Sequence, residues 1–199
     1  PQSGDEIERS ITRIPGRPPW TIGWFGMLRC SRSLRFLIGL AEALPDQLTI
    51  LIAGKPSPSE IPDIEAAIDH VPNVSFEGAY DANDLGALYA RSHFSWCIDW
   101  FEEGMNSAWL LPNRLYESLA YGAVPIALED VETGKWLQRY SCGVTICDPD
   151  ELVGLFTGMT PGDYTMLKSA TRRVPLDAIR RPVGDDLLVK ELEVLVANA

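Results

Sequence analysis

Two short segments hold the residues best placed to do chemistry. The first is Gly26-Met27-Leu28-Arg29-Cys30-Ser31-Arg32-Ser33, where an apolar run ends in glycine and two arginines, three residues apart, precede a helical pattern. It is neither a GxGxxG fingerprint nor a P-loop. It still suits an anion: glycine lets the backbone come close, a helix N-terminus offers unpaired N–H groups, and two guanidiniums can grip a diphosphate through paired donors. The competing reading, two solvated arginines, runs against the mild penalty for a cation at a helix N-terminus. The second segment runs from Leu111 to Pro125, with Pro112 and Asn113 as a helix start and Gly122 as its stop. Asn113, Arg114 and Glu117 share one helical face, and a carboxylate there can accept two hydrogen bonds from a cis-diol such as a ribose. On spacing alone, an Arg114–Glu117 surface ion pair worth about 0.2–0.5 kcal/mol explains this face better.

The elements that must position these residues alternate. From Trp20 onward, strand-length apolar runs at residues 21–26, 48–54, 74–77, 93–99, 123–128 and 143–147 are separated by helical patterns at 33–44, 59–70, 81–91, 113–121 and 135–140. This is the signature of βαβ units, and it predicts a Rossmann-like α/β fold: an open parallel sheet of about six strands with helices on both faces. Residues 100–112 follow neither period, and the tail from residue 150 reads as helices broken by Pro161, Pro175 and Pro182. Ligands of such sheets bind outside the carboxyl ends of the strands, where strand order reverses. Function is therefore expected just after residues 26, 54, 78 and 99.

Composition narrows the ligand. The 199 residues carry 17 Lys and Arg against 28 Asp and Glu, a net charge of −11, which argues against a nucleic-acid partner and makes any phosphate chemistry local. Cys30, Cys97, Cys142 and Cys147 form no CxxC pair and have no histidine at ligand spacing, so they read as reduced, mostly buried thiols of a cytoplasmic protein rather than a zinc site. No apolar run reaches membrane-spanning length. Residues 1–19 are polar and proline-containing, as an inter-domain linker would be, leaving residues 20–199 as one domain, a piece of a longer polypeptide.

The second segment resembles the PNKLYE-x-x-A-x-G-x-PV element of retaining glycosyltransferases of the GT-B fold, the class that builds bacterial exopolysaccharides, capsules and lipopolysaccharide cores. Other elements occur in that family's order: the glycine strand followed by Arg29, the strand ending in Gly54, the V-x-F-x-G strand of Val74, Phe76 and Gly78, and an acidic loop over residues 99–104. The resemblance covers residues 20–150, the nucleotide-sugar-binding half of such an enzyme. It implies that Glu117 binds the ribose and Arg29 the diphosphate of a UDP-, GDP- or ADP-sugar, with Gly26, Asn113 and Arg114 beside them. The family's second cation must be Arg32 or Arg35, and Arg32 is preferred because Arg35 lies deeper in the helix. The base is expected at the loop of Ala79 and Tyr80, although a surface aromatic would look the same.

One departure stands out. Many members carry a donor-sugar glutamate eight residues before the ribose glutamate, and here that position is Trp109. Glu103-Gly104-Met105-Asn106 matches the start of the usual element in part, so the catalytic, donor-sugar role falls to Glu103, with Glu102 beside it and a solvated acidic loop as the alternative. Trp100 and Trp109 could pack on a sugar face, but core packing is the commoner fate of such residues. Lys55 suits a phosphate contact or a solvated turn equally, and His70 and His93 read as structural. No Asp-x-Asp follows a strand, Asp185-Asp186 lying in the tail, which favours charge neutralisation by arginines without a metal or cofactor.

The resemblance further implies a missing N-terminal acceptor-binding half and a saccharide or lipid-linked acceptor. Any work at the inner face of the membrane would belong to that absent half, since a half of net charge −11 offers no patch for anionic lipid. A nucleotide-sugar epimerase of the same fold, and a non-catalytic interaction module that kept the fold, are the alternative functions.

Overall fold

The computed structural model describes residues 14–101 and 106–179. Six strands alternate with helices in the order β1 (Trp20–Leu28), α1 (Ser31–Ala43), β2 (Leu48–Pro56), α2 (Ile64–Ile68), β3 (Val74–Phe76), α3 (Leu85–Ala90), β4 (Phe94–Trp96), α4 (Asn106–Trp109), α5 (Asn113–Tyr121), β5 (Val124–Leu128), α6 (Glu132–Arg139), β6 (Val144–Ile146), α7 (Glu151–Gly158), α8 (Pro161–Arg173) and α9 (Leu176–Ile179). All strand pairings are parallel, and the sheet order is β3-β2-β1-β4-β5-β6. The direction of winding therefore reverses between β1 and β4, which opens a crevice at their carboxyl ends.

Strand alternation puts a core on each face. Trp20, Ile22 and Trp24 of β1, Leu48, Ile50 and Ile52 of β2, and Phe94 and Trp96 of β4 join Leu34 and Leu37 of α1, Ile64 of α2, Phe156 of α7 and Tyr164 of α8. On the opposite face, Phe25, Leu51 and Ala53 pack with Leu88 and Tyr89 of α3, while Cys97 and Ala127 pack with Leu115 and Leu119 of α5 and Leu137 of α6. Each large apolar side chain buried this way stabilises the fold by about 1.5–3 kcal/mol. Truncating Leu37, which has no exposed surface, to alanine costs about 2–5 kcal/mol.

The glycines at the strand ends shape the crevice floor. Gly26 and Gly54 are paired in register at the ends of β1 and β2, with φ of 108° and 141°. Both values lie in a region that side chains rarely adopt. A Cβ on Gly54 would overlap the Gly26 carbonyl.

Several element bounds differ from the sequence expectation for local reasons. The helix expected at 59–70 forms only over Ile64–Ile68, because Pro62 disfavours helix just before it and Asp63 caps the start by accepting from the Ala66 N–H at 2.9 Å. The helix expected at 81–91 begins at Leu85, since Asn83 N–H donates to Asp81 Oδ1 and Asp81 N–H to Asp84 Oδ2, forming a turn first. In the aperiodic stretch lies the short helix α4. Pro161 begins a helix rather than breaking one: it follows the Thr160 cap, which forms a capping box with Asp163. Cys30, Cys97 and Cys142 are buried, but Cys147 is exposed. Of the expected linker, residues 1–13 lie outside the described residues.

Candidate functional site

A cleft of about 510 Å³ opens at the carboxyl ends of β1 and β4, lined by Gly26, Met27 and Arg29 on one side and by Cys97, Ile98 and Asp99 on the other. The start of α5, with Pro112, Asn113, Arg114 and Glu117, closes a third side, and Leu128, Val131 and Thr133 close the fourth. Of the residues expected to bind the donor, Gly26, Arg29, Asn113, Arg114 and Glu117 all meet here, joined by Tyr80. They come from segments almost ninety residues apart in sequence, brought together by the parallel pairing of β1 with β4.

Helix α5 has the bounds its sequence predicts. Pro112 is its extended N-cap, and Gly122 ends it at φ 80° with its N–H donating to Ser118 O. Buried Leu115 and Leu119 fix the helix against the sheet, which turns Asn113, Arg114 and Glu117 to the cleft. The Arg114–Glu117 surface pair does not form. Arg114 instead reaches Asp99, Nη2 to Oδ2 at 3.6 Å, with only 11% of its side chain exposed. Its other terminal nitrogen, Nη1, is buried without a hydrogen-bond partner among the described residues.

Arg29 meets the same carboxylate oxygen. Its Nη2 lies 3.6 Å from Asp99 Oδ2, and its guanidinium sits 4.9 Å from the centre of the Phe101 ring. Asp99 is fixed from behind, Oδ1 accepting from the Phe101 N–H at 3.0 Å. At 3.6 Å neither arginine is in close hydrogen-bonding contact with Asp99. The result is two cations around one anion, with donor capacity to spare.

Glu117 is half-buried at the deep end of the cleft. Tyr89 donates its hydroxyl to Glu117 Oε2 at 3.2 Å, and Tyr89 is itself locked, stacked on Tyr121 and edge-on to Phe25. Burial raises the Glu117 carboxyl above the ordinary carboxylate range, opposed by the Tyr89 hydrogen bond and the charge of Arg114. One oxygen is thus held while the carboxylate keeps acceptor capacity for a ligand hydroxyl. Tyr80 stands edge-on to Phe25, its hydroxyl held above its usual pKa by burial and by Glu117.

Other expected residues sit elsewhere. Arg32 is not part of the cleft lining; its guanidinium lies 4.5 Å over the Trp100 ring. The cause is local: Cys30 is the extended N-cap of α1, its sulfur accepting from the Ser33 N–H, so Arg29 precedes the helix and Arg32 belongs to its first turn. Spacing of three places two residues on one face only when both are helical. Trp100 is core, packed on Phe36 and Trp96, whereas Trp109 is 61% exposed. Lys55 is exposed at the end of β2 and lies outside the cleft lining. Glu102 and Glu103 lie outside the described residues, as do Asp185 and Asp186.

Asp99 and Tyr89 were not assigned roles from sequence. Tyr89 looks like one more apolar residue of a helix, and only the packing of α3 on α5 reveals its hydroxyl's target. His93, at the opposite end of β4, is structural as expected. Thr21 N–H donates to its Nδ1 at 2.9 Å, and its Nε2 faces Pro15 O at 2.8 Å. Burial lowers its pKa to about 4.

No protein-family model matches the chain. The succinoglycan biosynthesis protein ExoL of Rhizobium meliloti (strain 1021) is 42% identical over 206 residues, which cover 98% of this chain and 51% of that protein. The chain thus spans about half the length of this curated relative. Among solved structures, the C-terminal domain of the group 1 glycosyltransferase LpcC of Francisella tularensis superposes with a TM-score of 0.56 at 17% identity, covering 88% of this chain and 96% of that one. Anabaena HepE, solved in complex with UDP and glucose, superposes with a TM-score of 0.66 at 14% identity, covering 87% of this chain and 48% of that one. The chain has the Rossmann-like fold of the C-terminal half of GT-B, group 1 glycosyltransferases, and is similar in sequence to one half of a succinoglycan biosynthesis protein.

Proposed function

We propose that this chain is the donor-binding half of a glycosyltransferase of bacterial exopolysaccharide synthesis, transferring a sugar from a nucleoside diphosphate sugar to a saccharide or lipid-linked acceptor. The observation that carries the reading is the convergence, at one switch-point cleft, of two guanidiniums and a half-buried carboxylate. Arg29 and Arg114 suit the two phosphates, and Glu117, oriented by Tyr89, suits the vicinal hydroxyls of the ribose. Uridine is the first base to test, because HepE was solved with UDP and glucose.

In transfer, the bond from the anomeric carbon to the diphosphate oxygen breaks and negative charge grows on the leaving diphosphate. Fixed guanidiniums aimed at that charge favour the transition state over the ground state. Glu103 remains the proposed contact to the donor sugar, and retention of anomeric configuration rests on the family resemblance. The acceptor is proposed to bind between this domain and an N-terminal half supplied by a longer polypeptide. Among the described residues no helix is long and apolar enough to cross a membrane. Any membrane contact is proposed to belong to that other half, because a net charge of −11 offers no patch for anionic lipid.

Calorimetric titration of the chain with UDP, GDP and ADP, repeated on Arg29→Ala and Glu117→Ala, tests the reading. One nucleotide should release heat and both substitutions should weaken it. Affinity that persists in EDTA would support neutralisation by arginine rather than by a metal. No heat from any nucleotide with the intact chain would sink the proposal.

A further inference from the structure

Asp99 is an anion placed where an anion is to bind. Its Oδ2 stands 3.6 Å from the Nη2 atoms of both Arg29 and Arg114. Among the described residues, those are the two cations that line the cleft. A ligand anion reaching the same guanidiniums must approach this carboxylate as well. Asp99 cannot simply swing aside, because its other oxygen is tied to the Phe101 N–H at 3.0 Å and its side chain is mostly buried. The contacts to the arginines are loose, and Arg114 Nη1 has no partner among the described residues. Its donors are therefore not satisfied by Asp99 alone.

We propose that Asp99 is a positioning residue with a built-in cost: it holds Arg29 and Arg114 facing the cleft when the site is empty, and its charge then opposes the bound diphosphate so that the diphosphate product is released. This rests on the donor-binding reading above. The physical ground is the sign of the local charge. In the cleft lining the guanidiniums of Arg29 and Arg114 face the carboxylates of Asp99 and Glu117, and removing the Asp99 charge shifts that balance by one unit in favour of a bound anion. A unit charge a few Å from a phosphate, in surroundings between protein and water, changes binding by about fivefold or more. The full pair of guanidiniums would bind tightly but let go slowly. The carboxylate trades affinity for release while keeping two long side chains ordered, which lowers the entropy lost when the ligand arrives.

The test is Asp99→Asn, which keeps an oxygen for the Phe101 N–H, removes the charge and turns an amide NH2 instead of an acceptor towards the two arginines. Titrations with UDP, inorganic diphosphate and uridine separate the contributions. The expected result is UDP and diphosphate bound at least about fivefold more tightly than by the original chain, uridine unchanged, and a slower UDP off-rate in stopped-flow displacement. A purely structural role for Asp99 would weaken all three ligands together. Unchanged or weaker UDP binding in a folded Asp99→Asn chain overturns the inference. If the original chain binds no nucleotide at all, the donor-binding reading fails instead.

Should the variant fail to fold, arginine side-chain NMR of the original chain decides. The Nε signals of Arg29 and Arg114 should be restrained without ligand and should both move on adding inorganic diphosphate. Arginines that are mobile in the empty chain, or an Arg114 signal that stays put when diphosphate is bound, overturn it equally.

Discussion

Strand β4 has an ionisable group just beyond each end, and the two are built in opposite ways. At the amino end His93 is closed: both ring nitrogens have backbone partners at 2.9 and 2.8 Å, and aromatic edges from Trp20 and Tyr164 surround it. At the carboxyl end Asp99 is open: it shares one oxygen between two arginines at 3.6 Å, and one of those arginines buries a nitrogen that nothing satisfies among the described residues. Buried polar groups are normally satisfied within the fold, and an orphaned one calls for an explanation. A saturated cluster fastens the chain, here tying Pro15 to the sheet. An unsaturated one at a strand-order reversal is a place for a ligand.

The contrast can be broken most forcefully at Arg114. Replacing Arg114 by leucine removes a nearly buried guanidinium from the anion site and leaves only Arg29 beside Asp99. UDP affinity should fall by about 3 kcal/mol, more than a hundredfold, in isothermal titration. The fold should survive, since leucine suits the half-buried start of α5. Retained affinity would return the second-cation role to Arg32.

At the other end of β4 the effect is on stability alone. Because burial depresses the His93 pKa from 6.5 to about 4, the folded state resists protonation that the unfolded chain accepts. The stability tied to His93 is complete above pH 6.5 and declines as pH falls towards 4, by on the order of 3 kcal/mol. Urea unfolding across that range should show this step in the original chain and lose it in His93→Gln, with UDP affinity at pH 7 the same in both.

Arg29 is 43% exposed and held from one side, so Arg29→Ala should weaken UDP by only about tenfold, the usual scale of a charge-assisted hydrogen bond. The smallest expected effect is Glu117→Gln. Its raised pKa means that the folded state favours the protonated form, so the ionised carboxylate opposes folding above its folded pKa and does not below its unfolded one. The amide should therefore raise the melting temperature slightly at pH 7 and lose that gain at pH 4, while nucleotide affinity falls. Gain in stability with loss of binding is the mark of a residue kept for function.

Much of this architecture was legible in the residues. The alternation of apolar runs placed all six strands, and Pro112 and Gly122 bracketed α5 to the residue, because caps and strand periods are local physics. The site was legible where it followed from strand ends, as with Gly26, Arg29 and the face of α5. What escaped was tertiary. Arg32 was preferred as the second cation beside Arg29, but the helix starts between them and the Arg32 guanidinium lies over Trp100; Asp99 closed a strand-length run and opened the acidic loop without a role of its own; and Tyr89 reaches Glu117 only through the packing of α3 on α5.

The central claim is that the open end of β4, and not the closed one, receives a nucleoside diphosphate. Backbone amide NMR of the chain titrated with UDP reads both ends at once. The account predicts shifts clustered at Gly26, Arg29, Asp99, Asn113 and Glu117, with Thr21 and His93 unmoved. Saturable shifts centred on Thr21 and His93, or none at the cleft at millimolar UDP, GDP and ADP, would contradict it.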